Sequence, residues 1–158
     1  MKRVFRYVKR SVDNGLVCNN SASGIVEGFR DAYWAGDYET RRSTTGFMFI
    51  FGGTAVSWAS KLQKTVALST MEAEYMALRG ASKEAVRLEK LIQRVTMLVT
   101  QSDDLDGPVN IKADNSGCIN FAKNPVEHKR TKHMDIRYHF VRDEITTDKV
   151  ILEHCPTD

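Results

Sequence analysis

Three carboxylates carry the chemistry that this sequence could do. Asp31 closes the apolar-aromatic stretch beginning at Phe29, and Asp114 closes Val109-Asn110-Ile111-Lys112-Ala113. Glu72 lies near the start of the run Ser69-Thr70-Met71-Glu72-Ala73-Glu74-Tyr75-Met76-Ala77-Leu78. Two aspartates at strand ends and a glutamate at a helix start, in that order, can converge on divalent cations. Sites of this kind cleave phosphodiesters without a protein nucleophile: two ions about 4 Å apart activate a water, orient the phosphate and stabilise the leaving oxygen. Mg²⁺ takes hard oxygen ligands and keeps several waters, so few protein ligands are needed. No Ser–His–Asp or Cys–His arrangement with recognisable context competes, and no phosphate-cradling P-loop is present.

Each carboxylate also has a plainer role open to it. Ser69-x-x-Glu72 fits a capping box, in which the glutamate satisfies backbone N–H groups at a helix start. Asp31 and Asp114 could be ordinary turn or cap residues. Glu74 lies two residues beyond Glu72, about 200° around a helix, and is expected to be the poorer ligand. His128, His133 and His139 are five and six residues apart, which is not a same-face helical spacing, and no CxxC accompanies them; this disfavours zinc. Tyr33, Trp34 and Trp58 could stack on bases or simply pack in a core.

The elements that must position these groups read as one α/β unit. Residues 25–30 lead to Asp31 as a first strand. Gly46-Phe-Met-Phe-Ile-Phe51 is apolar on both faces, as a central strand would be. Gly52-Gly53 signals a hairpin into Thr54–Ala59. A long helix is expected from about Ser69 to Val99, with Ala73, Met76, Ala77, Ala81, Leu88, Leu91, Ile92 and Val95 near the helical period. Val109–Ala113 alternates as another strand, Asn115 can cap a helix through Phe121, and Met134–Ile145 and Val150–His154 form a last helix and strand.

At 158 residues a single domain is the default, with a real core to bury. Three scattered cysteines argue against a disulfide framework and for a reducing compartment. The net charge of +3 is mild, but Arg41-Arg42, Lys61/Lys64 and Lys129-Arg130-Lys132 are local basic clusters that could meet phosphates or be solvated surface. No apolar run is long enough for a membrane helix, and Met1–Arg6 lacks a signal peptide's apolar core, so an intracellular protein without membrane association is expected.

These residues sit in words that reach a family. Asp31-Ala-Tyr-Trp-Ala-Gly-Asp37, Arg41-Arg-Ser-Thr-Thr-Gly46, Ser57-Trp-Ala-Ser-Lys61, Leu68-Ser-Thr-Met-Glu-Ala-Glu-Tyr75, Asp114-Asn115 and His128–Phe140 follow one another in order. Together they make the chain resemble the ribonuclease H domain of copia-type retrotransposon polyproteins. The resemblance implies a ribonuclease H-like α/β fold: a mixed, five-stranded sheet with helices on both faces. It implies that residues 1–23 are a leader resembling the end of a reverse-transcriptase region and that 24–158 form the ribonuclease H-like domain.

The resemblance also implies cleavage of the RNA strand of RNA–DNA hybrids, with Asp31, Glu72 and Asp114 catalytic and holding two ions, Mg²⁺ or Mn²⁺. Ser69, Thr70 and Asn115 would read 2′-hydroxyls, and Lys61, Lys64, Lys129, Arg130, Lys132 and His133 would contact phosphates. The expected partners are the hybrid and a reverse-transcriptase domain, in the cytoplasm, the nucleus or retroelement particles. The family's last strand runs into a helix bearing a fourth aspartate, whereas this sequence stops at Asp158. Weakened, Mn²⁺-favoured cleavage is therefore expected, with self-association or a partner at the surface that helix would cover. Asp135 lies before the last strand and is read as part of the basic motif. The alternative is a retroelement remnant that binds nucleic acid or protein without cleaving.

Overall fold

The computed structural model describes residues 2–17, 24–101, 107–124 and 135–156. A short helix, α1 (Lys2–Arg10), buries none of its residues. Five strands follow, interleaved with three helices: β1 (Glu27–Tyr33), β2 (Thr44–Phe51), β3 (Thr54–Leu62), α2 (Thr70–Thr100), β4 (Val109–Ala113), α3 (Ser116–Lys123), α4 (Asp135–Thr146) and β5 (Val150–His154). The strands form one mixed sheet in the order β3-β2-β1-β4-β5. The first three pair antiparallel, joined at β2–β3 by a turn in which Gly52 and Gly53 take φ of 60° and 77°, the region that glycine enters without cost. The β1–β4 and β4–β5 pairs are parallel, with α2 and then α3–α4 making the crossovers.

The helix α2 forms because its sequence is dominated by Ala, Leu, Met, Glu, Lys and Arg, which lose little freedom in a helix. It packs because Tyr75, Leu78, Ala81, Ala85 and Leu88 recur every three or four residues and are all buried. This stripe meets Phe49, Ile111, Val150 and Leu152 from alternate strand positions, and Val141 from α4. Each large apolar side chain so buried contributes about 1.5–3 kcal/mol. Gly28 matters to this layer: a Cβ there would come within 2.5 Å of the Phe49 ring, so the fully buried ring crosses β1 only because no side chain is in its way. Leu91 and Val95, expected in the same stripe, are about half exposed. The 31-residue helix is about 46 Å long and outruns the sheet beneath it.

Among the described residues, the helices on the sheet (α2, α3 and α4) touch one another and form one layer. The expectation of helices on both faces is corrected to that extent. The opposite face carries a row of register partners, Trp58, Met48, Phe29 and Lys112, running from β3 to β4. Trp58 and Met48 there are exposed.

One buried polar contact joins the first turns of α2 to the sheet. Arg30 of β1 points into the helix layer with no side-chain exposure, and its Nη1 donates to the Glu74 carbonyl oxygen at 3.2 Å and to the Glu74 carboxylate. Removing one partner of a buried pair leaves an uncompensated charge, which costs about 3–5 kcal/mol, whereas exposed pairs contribute about 0–1 kcal/mol. Arg30→Met is therefore expected to lower unfolding free energy in urea by at least about 3 kcal/mol. Lys112→Met, which breaks the more exposed Lys112–Glu27 pair, should shift it by less than about 1 kcal/mol. Equal shifts would show that the Arg30 pair has no special part in docking α2.

Candidate active site

Strand direction brings the two aspartates together. Because β1 and β4 run parallel with Phe29 opposite Lys112, extending the register by two residues sets Asp31 opposite Asp114 at the same end of the sheet. The first turns of α2 come down beside them. One carboxylate oxygen from each of Asp31, Glu74 and Asp114 lies within 4.8 Å of the other two. Asp31 and Asp114 are open to solvent and Glu74 is buried.

Hydrogen bonds hold the carboxylates of Asp31 and Glu74 and the backbone at Asp114. The Ala32 N–H donates to Asp31 Oδ1 at 2.7 Å. His154, at the end of β5, hydrogen-bonds through Nε2 to the Asp114 carbonyl oxygen at 2.9 Å, and the Cys155 N–H donates to the Ala113 carbonyl. Burial raises the Glu74 carboxyl above its ordinary range; Arg30 opposes the shift, and the negative charges of Asp114 and Asp31 reinforce it. Cys118 of α3 sits beneath this cluster, and burial pushes its thiol up to about 11, so it stays protonated at neutral pH.

The glutamate in this trio is Glu74, not Glu72, which corrects the expectation from sequence. Glu72 is taken up by the helix start. Ser69 is the N-cap of α2, and its Oγ accepts the Glu72 N–H at 3.2 Å. The Glu72 carboxylate reaches back over the helix start to accept the Leu68 N–H at 2.7 Å, one residue before the N-cap, in a variant of the capping box that takes up one of its oxygens. Two residues on, the helix presents Glu74 to β1 and β4. Sequence reasoning also passed over Arg30 and His154. The usable signals were a capping glutamate already spoken for and an arginine one residue before Asp31 on the opposite, inward face of its strand.

The remaining residues named from sequence fall into three groups. Ser69, Thr70 and Asn115 lie at two helix starts near the carboxylates; Asn115 caps α3 by accepting the Cys118 N–H at 2.8 Å. Lys61 and Lys64 are exposed at and just beyond the end of β3. Lys129, Arg130, Lys132 and His133 lie outside the described residues. Trp34 donates from Nε1 to the Ala67 carbonyl at 3.2 Å and so ties the segment after β1 to the approach of α2, whereas Tyr33 and Trp58 are exposed.

The donor set suits a hard dication: three carboxylates converge, and two are open enough for waters and a phosphate to complete a coordination shell. A cation would also relieve the mutual repulsion that helps to raise Glu74.

No protein-family model matches the chain. A Retrovirus-related Pol polyprotein from transposon TNT 1-94 of Nicotiana tabacum is 37% identical over 150 residues, covering 95% of this chain and 11% of its own length. The chain thus spans about a tenth of that curated relative. The crystal structure of RNase H1 from Halobacterium salinarum superposes with a TM-score of 0.58 at 15% identity, covering 84% of this chain and 86% of the other. A foamy viral protease-reverse transcriptase in complex with RNA/DNA hybrid gives 0.52 at 17% identity, over 85% of this chain and 17% of the other. The chain is thus similar over nearly its whole length to one segment of retrovirus-related transposon Pol polyproteins, and it has the fold of ribonuclease H.

Proposed function

We propose that the chain cleaves the RNA strand of RNA–DNA hybrids endonucleolytically, with two Mg²⁺ or Mn²⁺ ions held by Asp31, Glu74 and Asp114. The observation that carries this reading is the convergence of three carboxylate oxygens at the shared end of β1 and β4. The foamy viral protease-reverse transcriptase bound to RNA/DNA hybrid, which shares the fold, supports both the choice of substrate and a reverse-transcriptase domain as neighbour, and the similarity to Pol polyproteins agrees with it. Metal ions there would supply an activated water and stabilise the 3′-oxygen leaving group.

The chain's own residues hold the geometry for that chemistry. Asp31 and Asp114 present oxygens on two adjacent strands, where the sheet fixes their separation. Arg30 holds Glu74 in place and offsets part of the charge that three neighbouring carboxylates accumulate. Ser69 and Asn115 spend their side-chain oxygens as acceptors in caps, yet each keeps a donor, a hydroxyl proton or an amide NH₂, that can meet a 2′-hydroxyl. Lys61, Lys64, Lys129, Arg130, Lys132 and His133 provide the phosphate contacts.

Two experiments test this. In a hybrid-cleavage assay with single-strand and duplex controls, Glu74→Gln and Asp114→Asn should each lower kcat by roughly three orders of magnitude. Glu72→Ala should retain cleavage while losing about 1 kcal/mol of stability, the usual effect of a lost cap. Loss of cleavage in Glu72→Ala with full activity in Glu74→Gln would reverse the assignment. Separately, Mg²⁺ at a hundred times its Kd should stabilise the protein by about 2.7 kcal/mol. That stabilisation should vanish in Asp31→Asn, and a metal-induced shift surviving in that variant would place the ions elsewhere.

A further inference from the structure

A groove of about 520 Å³ opens between α2 and the β2–β3 edge of the sheet. Its floor is apolar, with Phe47 and Met76, and its rim is cationic: Lys61 and Lys64 on one side, Arg79, Lys83 and Arg87 on the other. On α2 these three are four residues apart, so they share one face and are spaced about 6 Å along the axis.

The charge there is not balanced within the protein. Glu84 is the acidic residue in the lining, and it is already occupied. It accepts from Arg87 Nε and Nη2 at 2.9 and 2.5 Å and from Ser57 Oγ at 2.5 Å, and the hydrogen bond from Arg87 holds its carboxyl below the ordinary range. That accounts for Arg87. Lys61 lies near enough to Glu84 to help lower its carboxyl but makes no ion pair with it; Lys64, Arg79 and Lys83 make no ion pair with a carboxylate among the described residues, and Lys83 rests over the Phe140 ring at 5.8 Å. Arg79 Nε is buried and meets no acceptor. Buried donors are nearly always satisfied, and leaving one unmet costs about 1–3 kcal/mol.

The groove is also built in advance of any ligand. Gln63 is buried beneath it and donates from Nε2 to Thr45 Oγ1 and to the Ala73 carbonyl, both at 3.0 Å, which pins the end of β3 to β2 and to the first turn of α2.

From this geometry we propose that the groove is a second polyanion site, which takes the sugar–phosphate backbone of a nucleic-acid strand away from the carboxylate trio. Cations at about 6 Å intervals along a preformed trough suit a regularly charged strand. The apolar floor suits sugars and base edges, and the helix that forms one wall also carries Glu74 in its second turn. A strand gripped here would register the hybrid against the reacting position. The inference rests on the hybrid-cleaving reading for the identity of the strand, but its test does not need cleavage.

Lysine acetylation of the wild-type protein, read by mass spectrometry, should show Lys61, Lys64 and Lys83 protected by an RNA–DNA hybrid in EDTA, with poly-glutamate giving no such protection. In parallel, hybrid binding by the Lys61→Gln/Lys64→Gln/Lys83→Gln variant should show a log–log salt slope smaller by roughly 2.7, about 0.9 for each lost phosphate contact. Loss of protection and an unchanged slope would overturn the site. Equal protection by poly-glutamate would also overturn it, in favour of an acidic protein partner. Protection and a reduced slope in a protein that never cleaves hybrid would uphold the groove and sink only the cleavage reading.

Discussion

Everything at the carboxylate end of this molecule depends on the rotational phase of α2. A helix has no freedom once its first turn is fixed: each later residue follows at 100° and 1.5 Å. Ser69 and Glu72 fix that turn, the first by accepting the Glu72 N–H and the second by accepting the Leu68 N–H, and Arg30 then grips Glu74 from the sheet. Were the helix to begin one residue earlier or later, another side chain would face the aspartates. The cap is therefore a positioning device as much as a source of stability.

The mixed sheet supplies the other half of the arrangement. With β1 antiparallel to β2 but parallel to β4, the chain leaves β1 and β4 at the same edge. An aspartate placed at each exit becomes a neighbour of the other across one strand spacing, although 83 positions separate Asp31 and Asp114 in the sequence. Parallel pairing of this kind needs a long crossover. Here α2 is that crossover, so the element that makes the aspartates adjacent also delivers the third carboxylate.

Much of this was legible from residue types. Asp31 and Asp114 could be found because strand ends are marked by the apolar alternation stopping, and that marking survives tertiary packing. The choice between Glu72 and Glu74 could not be made in the same way. It turns on whether the carboxylate three residues after Ser69 folds back onto the backbone, and that depends on competing hydrogen bonds, not on periodicity. The inward-facing Arg30 was hidden for a related reason: a charged residue in a strand ordinarily reads as solvent-facing, and only the partner on α2 makes its burial tolerable. The groove beside β3 was half visible, as Lys61 and Lys64. Its other wall is assembled from one face of a helix whose cations looked like ordinary surface charge in sequence.

The absence of a side chain at position 28 has a consequence for how such a sequence can change over generations. Substitutions at exposed positions such as Val12 or Leu98 disturb nothing that is packed. At position 28 the smallest possible enlargement, one methyl group, would have to share space with an aromatic ring already enclosed on every side. Neither the ring nor the strand has a vacant direction in which to yield. Copies of this chain that drift freely elsewhere should thus converge on glycine there, and a copy that has lost it should be read as one released from the requirement to fold.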